Sequence, residues 1–408
     1  MYIENLSLQN FRSYETAEIN LSPGINLFKG DNAQGKTNIL ESIYLCATGR
    51  SHRTSHEKEM ICWNKDSAHI SLTVCKKFMA DRIDFNILPK AKKVFINKMP
   101  VAKMGELYGA VNVVMFSPED LQLVKNSPKE RRRFVDMELC QIDKVYYYAL
   151  KQYNKILKQR NLCLKDFYKN PDYAMLDVWD MQLIEYAQVL VDKRREFVDE
   201  LDRTAAKIHS DLSSKKENLK IIYLPSINSC EIGDKLNKYR ERDIINQTTS
   251  IGPHRDDLKF EIDGMDVKTY GSQGQQRTVV LSTKLAELEI MTSHIGDTPI
   301  LLLDDVLSEL DDGRQRDLFK YTENLQTLIT CTGIEQSVWD LNKIGKIYTV
   351  TKGELRETPS IMWCKIMHIR SKIIPNLLKI EFYCIIRVMF SFSRNEKKEW
   401  DLSYGSNV

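Results

Sequence analysis

No two cysteines in this 408-residue sequence form a C-x-x-C pair, and the nine present, at 46, 62, 75, 140, 163, 230, 331, 364 and 384, keep no regular spacing. This argues against a zinc ligand set and a disulfide framework, and leads to an expectation of reduced thiols in the cytoplasm. Net charge is nearly absent too. The 59 basic residues against 56 acidic ones leave only +3, so any argument for a polyanionic partner must be local. Charges interrupt every apolar run before the roughly 18–20 residues that a membrane span needs. The opening MYIENLSLQNFRSY lacks the basic-then-apolar order of a secretory signal, so no membrane partner is expected. Internal repeats and low-complexity tracts are also missing. What is present, 42% hydrophobic and 28% charged residues, suits a folded protein of two or more domains.

Residues 1–30 read as strands: Ile19 and Leu21 alternate with polar neighbours, Pro23-Gly24 marks a turn, and INLF is a short apolar run. The segment GDNAQGKTNILESIYLCA then places Ile39, Leu40, Ile43, Tyr44 and Ala47 at helical spacing. Residues 68–100 alternate again and predict a second sheet, with Lys90, Lys92 and Lys93 at a basic turn. Ser127-Pro128-Lys129-Glu130 has the form of a helix start. Two long antiparallel helices follow: the stripe Tyr146, Leu150, Tyr153, Leu157, Leu164 and, after the break at Asn170-Pro171-Asp172, the stripe from Leu183 to Leu212, on a helix over about 178–213. Strand signals return after residue 218, with an Asp-Gly hairpin turn in KFEIDGMDV.

Three stretches carry chemistry. Gly30-Asp31-Asn32-Ala33-Gln34-Gly35-Lys36-Thr37 satisfies G-x-x-x-x-G-K-[ST] between a strand and a helix. Such a loop presents backbone N–H groups and a helix N-terminus to phosphates, with Lys36 reaching the β/γ-phosphates and the Thr37 hydroxyl taking a Mg²⁺ position. Pro299 to Asp305 is an apolar strand ending in two carboxylates, which suits Asp304 as a metal residue and Asp305 as the group that orients and deprotonates an attacking water. The third is polar GSQGQQRT, 271–278, directly ahead of the apolar helix VVLSTKLAELEI. The wide separation of the first two motifs implies a large insertion.

Ser272, Gly274 and Gln275 resemble the signature loop of ABC ATPases, whose helix N-terminus and serine bind the γ-phosphate held by an opposite subunit. Ser308 to Asp311 resembles the loop that follows Walker B there. In TLITCTG, 327–333, Thr330 or Thr332 stands where many relatives carry a switch histidine, and slow turnover is expected. The blocks NFRSY, TGRSHR, FSPEDLQLVKNSPKERRRFVD, LKQRN, WDMQL, GPHRDDL, YGSQGQQRT and LLLDDVLSELD, spread over about 1–350, together resemble the RecF family of SMC-like ABC ATPases.

The resemblance implies an α/β P-loop NTPase of the ABC/SMC-head type with a β-rich subdomain and an inserted, mainly helical arm. The expected division is 1–115 and 219–355 for the ATPase domain and 116–218 for the arm. It implies ATP and Mg²⁺ as cofactors, homodimerisation on ATP binding, duplex and gap-junction DNA as partner, and work with RecR and RecO, indirectly with RecA, in repair and the SOS response. Lys36, Asp305 and Ser272 carry over as catalytic residues, Thr37 and Asp304 as metal residues, and residues 30–37 with Ser272, Gly274 and Gln275 as the nucleotide set, joined by Arg12. Lys129, Arg131, Arg132 and Arg133, the densest basic run, are candidates for DNA phosphates, against the alternative that they pair with acids in the arm. His254 and Arg255 match a family block without an assigned role. From Arg356 to 408 the sequence departs from the family and reads as a frameshifted or disordered tail. Two rival readings, an ABC transporter ATPase subunit and a nucleotide kinase, leave the 116–136 block and the two-helix arm unexplained.

Overall fold

The computed structural model describes residues 1–322, 324–332 and 344–358. Strands β1 (Tyr2–Phe11) and β2 (Tyr14–Asn20) form a hairpin, and β3 (Ile25–Lys29) leads through the glycine loop into α1 (Lys36–Thr48). Next come β4 (Ala68–Cys75), β5 (Ala80–Leu88), β6 (Ala91–Ile96), β7 (Met99–Pro100) and β8 (Val113–Phe116). Helices α2 (Gln122–Lys125), α3 (Pro128–Ile142), α4 (Lys144–Asp166) and α5 (Tyr173–Leu212) follow. The chain returns through β9 (Leu219–Leu224), α6 (Ile232–Asn246), β10 (Asp257–Ile262), β11 (Met265–Asp266) and α7 (Val267–Tyr270). It continues with α8 (Gln273–Ile295), β12 (Ile300–Asp304), α9 (Asp312–Tyr321), β13 (Thr327–Cys331), β14 (Ile344–Thr351) and β15 (Glu354–Thr358).

One six-stranded sheet has the order β15-β14-β3-β13-β12-β8. All its pairs are parallel except β14 with β15. Every residue of β12 is buried, as a strand covered on both faces requires. A second six-stranded sheet, β2-β1-β4-β5-β6-β7, is antiparallel. Helix α1 lies between them. Its Ile39, Leu40 and Ile43 share one apolar core with Leu6, Leu72 and Phe85 of the antiparallel sheet and with Leu302 and Leu328 of the parallel one. The Gln326 amide joins the two sheets: its Nε2 donates to the Ile3 carbonyl at 2.7 Å and its Oε1 accepts from the Ile3 N–H at 2.7 Å.

The arm is built on α4 and α5. At 40 residues, α5 is about 60 Å long and starts earlier than its periodicity predicts, because Asp172 caps it by accepting from the Met175 N–H at 2.8 Å. Strand β9 packs along α5, and α6, which the sequence reading missed, places Ile244 in a cluster with Leu164, Phe167 and Leu176 of the arm. The atypical tail lies outside the described residues beyond Thr358, while Arg356 itself belongs to β15.

Guanidinium groups hold the arm together. Arg160 is fully buried; its Nε donates to Asp180 at 2.5 Å and its Nη1 to Asp243 and Thr249 at 2.8 Å each. The blocks LKQRN and WDMQL meet in this cluster. Arg194 of α5 reaches Asp136 at 2.7 Å, Asp256 at 2.9 Å and the Tyr146 hydroxyl at 2.9 Å. GPHRDDL is thereby explained as packing. Asp256 receives Arg194, Asp257 receives Arg131, and His254 Nδ1 lies 2.6 Å from the Tyr153 hydroxyl with Nε2 on the Thr249 carbonyl at 3.0 Å. Arg255 is exposed and reaches the same carbonyl.

Two predictions follow from this packing. Arg160→Met leaves buried Asp243 without its guanidinium, while Asp180 keeps Arg240 at 2.7 Å, and is expected to lower stability by about 3–5 kcal/mol in urea unfolding, with Arg160→Lys restoring only part because an ammonium cannot bridge both acids. Burial lowers the affinity of His52 and His254 for a proton, to a pKa of about 4 in each. Each therefore contributes stability that is present above the free-imidazole value and is lost as pH falls from about 6.5 toward about 4. Unfolding free energies measured across that window should fall by up to about 1.4 kcal/mol per pH unit for each histidine, and His254→Gln should remove one of the two contributions.

Candidate functional site

The glycine loop is shaped by what surrounds it. Between β3 and α1 the chain takes positive φ at Ala33 (63°) and Gly35 (112°). A Cβ at Gly35 would lie 2.6 Å from the Ser13 hydroxyl and 3.1 Å from that of Tyr14, so only glycine fits. Gly30 is pressed against the Val350 carbonyl in the same way. The β14–β15 turn holds the outer edge, where the Lys352 N–H donates to Gln34 Oε1 at 2.7 Å and the Gly353 N–H to the Gln34 carbonyl at 3.1 Å. Asp31, Asn32 and Ala33 stay exposed at the loop's crest.

Lys36, 4% exposed, folds across this loop. Its Nζ donates to the carbonyls of Gly30 at 2.8 Å and Asp31 at 3.2 Å and stands 3.8 Å from Asp305. Thr37 donates to Asp304 Oδ1 at 2.9 Å, and Thr330 donates to the same oxygen at 2.8 Å. Burial raises the Asp304 pKa, opposed by the two hydroxyls and assisted by the negative charges of Asp305 and Glu119. A buried carboxylate served only by hydroxyls lacks a countercharge. Mg²⁺ fits here: the Thr37 hydroxyl and the Asp304 carboxylate offer hard oxygens that would hold it, with phosphate and water left to supply the rest.

Asp305 takes a left-handed conformation, φ 50°, with its N–H donating to Thr330 Oγ1 at 2.9 Å. Thr330 therefore touches both acids from the position where a switch histidine was expected to be missing. Glu119 was not singled out by sequence reading, since nothing in FSPED marks it. A cavity of about 450 Å³ next to it is lined by Tyr44, His52, Arg133, Glu138 and Lys284. There Lys284 pairs with Glu287 at 2.5 Å, and burial together with Glu287 raises the Glu138 pKa. The only sequence signal for this cluster is a Lys and a Glu on the otherwise apolar face of α8.

The quoted polar loop begins α8. Ser272 is its N-cap, accepting at Oγ from the Gln275 N–H at 3.2 Å, while Gln275 Oε1 accepts from the Ser272 N–H at 2.9 Å. Ser272 is exposed. The loop's further bonds run to Glu217 and Arg314, with Arg314 donating to the Gly274 carbonyl at 3.4 Å and to Asp311 at 2.6 Å. The fold therefore brings Lys36, Thr37, Asp304 and Asp305 together, while Ser272 is exposed at the start of α8 beside half-buried Gly274 and Gln275.

Arg12, expected at the nucleotide, pairs with Glu41 at 2.9 Å and 2.5 Å and donates to the Glu59 carbonyl at 2.6 Å, which anchors α1. Of the candidates for DNA phosphates, Arg131 is 5% exposed and pairs with Asp257 at 2.6 Å and 3.0 Å. Arg132 is half-buried and donates to the Asp256 carbonyl at 2.6 Å. Lys129 and Arg133 remain exposed.

The family model described as the RecF/RecN/SMC N terminal domain matches residues 2–356. The DNA replication and repair protein RecF of Agathobacter rectalis is 50% identical over 357 residues, 87% of this chain and 99% of that protein. The RecF of Clostridium perfringens is 48% identical over 362 residues, 87% of this chain and all of that protein. A structure of the recombination mediator protein RecF with ATP, from the RecFOR pathway, superposes with a TM-score of 0.82 at 33% identity and covers 88% of this chain and 98% of that one. An SMC head domain from Pyrococcus furiosus superposes with a TM-score of 0.53 at 16% identity, over 91% of this chain and 100% of that one, and shares the fold. With a family model spanning nearly all described residues and relatives this similar over their whole length, the chain belongs to the RecF family of SMC-head ATPases.

Proposed function

We propose that the chain is an ATP-dependent DNA-binding protein of recombinational repair and replication. Two copies close on two ATP molecules and bind duplex or gapped DNA, and slow hydrolysis reopens them. The observation that carries this reading is the division of the nucleotide machinery. Lys36, Thr37, Asp304 and Asp305 converge, while the Ser272 cap stands exposed with its hydrogen bonds directed elsewhere. A helix N-terminus with a serine hydroxyl suits an anion, and the γ-phosphate on the loop of a second copy is such an anion. ATP then acts as part of the interface, and a nucleotide-free copy lacks half of its contact.

Within one copy, Lys36 would leave the Gly30 and Asp31 carbonyls for the β- and γ-phosphates, and Thr37 and Asp304 would hold Mg²⁺, which neutralises developing phosphate charge when bound. Asp305, turned toward the loop, would accept a proton from the attacking water. Thr330 has no basic nitrogen to offer the γ-phosphate, which supports slow turnover. The names of the similar proteins support repair and replication as the setting, with RecR and RecO as partners and loading of RecA at single-strand gaps as the outcome. The same setting supports a cytoplasmic location. No helix among the described residues is long and apolar enough to cross a membrane, and membership of the RecF family does not favour the transporter reading.

Sedimentation with and without Mg·ATP and a gapped duplex tests the proposal. Wild type should dimerise and retain DNA only with ATP, and Lys36→Met should do neither; a wild type that stays monomeric under every condition would falsify the proposal. Asp305→Asn should keep the ATP-bound dimer and slow hydrolysis by about 10²–10⁴-fold, read as phosphate release. DNA affinity should fall steeply with salt, and neutralising exposed Lys129 and Arg133 together should make that dependence shallower, whereas Arg131→Gln should instead lower stability.

A further inference from the structure

Glu217 sits in the turn that joins α5 to β9 and touches both the arm root and the Ser272 loop. Its Oε1 accepts from Gln275 Nε2 at 3.0 Å, and its Oε2 lies 3.1 Å from His209 Nε2. His209, fully buried in the last turn of α5, places Nδ1 3.0 Å from the Ser282 hydroxyl of α8. Burial lowers the proton affinity of this imidazole and favours its neutral form. The tautomer with Nε2–H is the one that donates to the Glu217 carboxylate, while the single Ser282 hydroxyl proton is shared between Nδ1 and the Thr278 carbonyl, 2.7 Å from that hydroxyl.

The Gln275 amide is thereby held at both ends, its oxygen on the Ser272 N–H at 2.9 Å and its nitrogen on Glu217. Both ends fix the amide's orientation, because a flipped amide would set its oxygen against Glu217 and its NH₂ against the Ser272 N–H. A cavity of about 120 Å³ beside this contact, lined by Leu212, Lys216, Glu217, Gln275 and Arg314, leaves room for water to take over if the contact is lost.

We propose that Glu217, anchored by His209, is a positioning residue for Ser272. It locks Gln275 and so presents the α8 cap already formed to the triphosphate bound by a second copy. The proposal rests on the reading of Ser272 as a contact made across the dimer.

Two measurements on the full chain test it. The first is amide hydrogen exchange of residues 272–278 without nucleotide, where Glu217→Ala should speed exchange about tenfold, the loss of one hydrogen bond to a charged group. The second is the ATP-dependent dimer dissociation constant, which should rise about tenfold in Glu217→Ala while ATP binding by the monomer stays at the wild-type level. Glu217→Gln, whose carbonyl can still accept from Gln275, should restore both to within about twofold. Gln275→Leu breaks the same contact from the other side and should match Glu217→Ala if that variant folds poorly. In a Ser272→Ala background, Glu217→Ala should add nothing to the dimer defect. Full additivity there, or wild-type exchange and dimerisation in Glu217→Ala and Gln275→Leu, would overturn the proposal. Faster exchange at 272–278 in a protein whose wild type never dimerises would leave the positioning role standing and remove the cross-dimer reading instead.

Discussion

Helix α1 has no solvent side to spare. It is wedged between a parallel and an antiparallel sheet, and its buried residues include Glu41 and Ser42 as well as the apolar Ile39, Leu40, Ile43 and Leu45. A helix gripped from both sides cannot shift or rotate without opening two interfaces, so its N-terminus is a fixed point. The loop from Gly30 to Gly35 has to connect that point to the end of β3, and the hydroxyls of Ser13 and Tyr14 leave it little freedom in doing so. Even the buried Glu41 serves this purpose: Arg12 and Ser51 bind it, hold its pKa low against the effect of burial, and pin the helix to the antiparallel sheet.

The arm uses charge in the opposite way. In the ATPase core, Asp304 has no cation at hydrogen-bond distance among the described residues, whereas Asp136, Asp180, Asp243 and Asp256 in and around the arm are each held by a guanidinium group. Arg131, Arg160 and Arg194 each bridge segments far apart in sequence, and each does so where the planar fork can reach two acceptors. Such clusters require the right partners in the right register. They specify how α3, α4, α5 and the 253–257 turn fit together, a task for which a small apolar interface would be too permissive.

Motifs defined by local backbone need were legible in the sequence. The glycine loop, the apolar strand ending at Asp304 and the Ser272 cap each depend on residues a few positions apart, so a linear reading recovers them with the correct flanking elements. Residues whose partners are distant were not. Arg131 looks the same as Arg133 in ERRRF, and only the arrival of Asp257 from β10 decides that one is buried and the other exposed. Helix α6 was missed because its apolar residues, Ile232, Leu236 and Ile244, are sparse and polar groups fill the rest. Glu217, in a run of lysines and a serine pair, reads as an ordinary turn residue until His209 and Gln275 are placed beside it.

The turn at Lys352 and Gly353, which closes over Gln34, bears on how this protein is made. Strand β3 emerges early in synthesis, but its neighbours in the sheet, β13 and β14, and the clasp on the glycine loop come from residues 327–353. Contacts of such long sequence separation form late and slowly. The nascent chain must therefore carry an unfinished phosphate loop, with the apolar edge of β3 unpaired, until nearly all of the ATPase domain has left the ribosome. The antiparallel sheet, complete by residue 100, can fold well before then and give α1 its first wall.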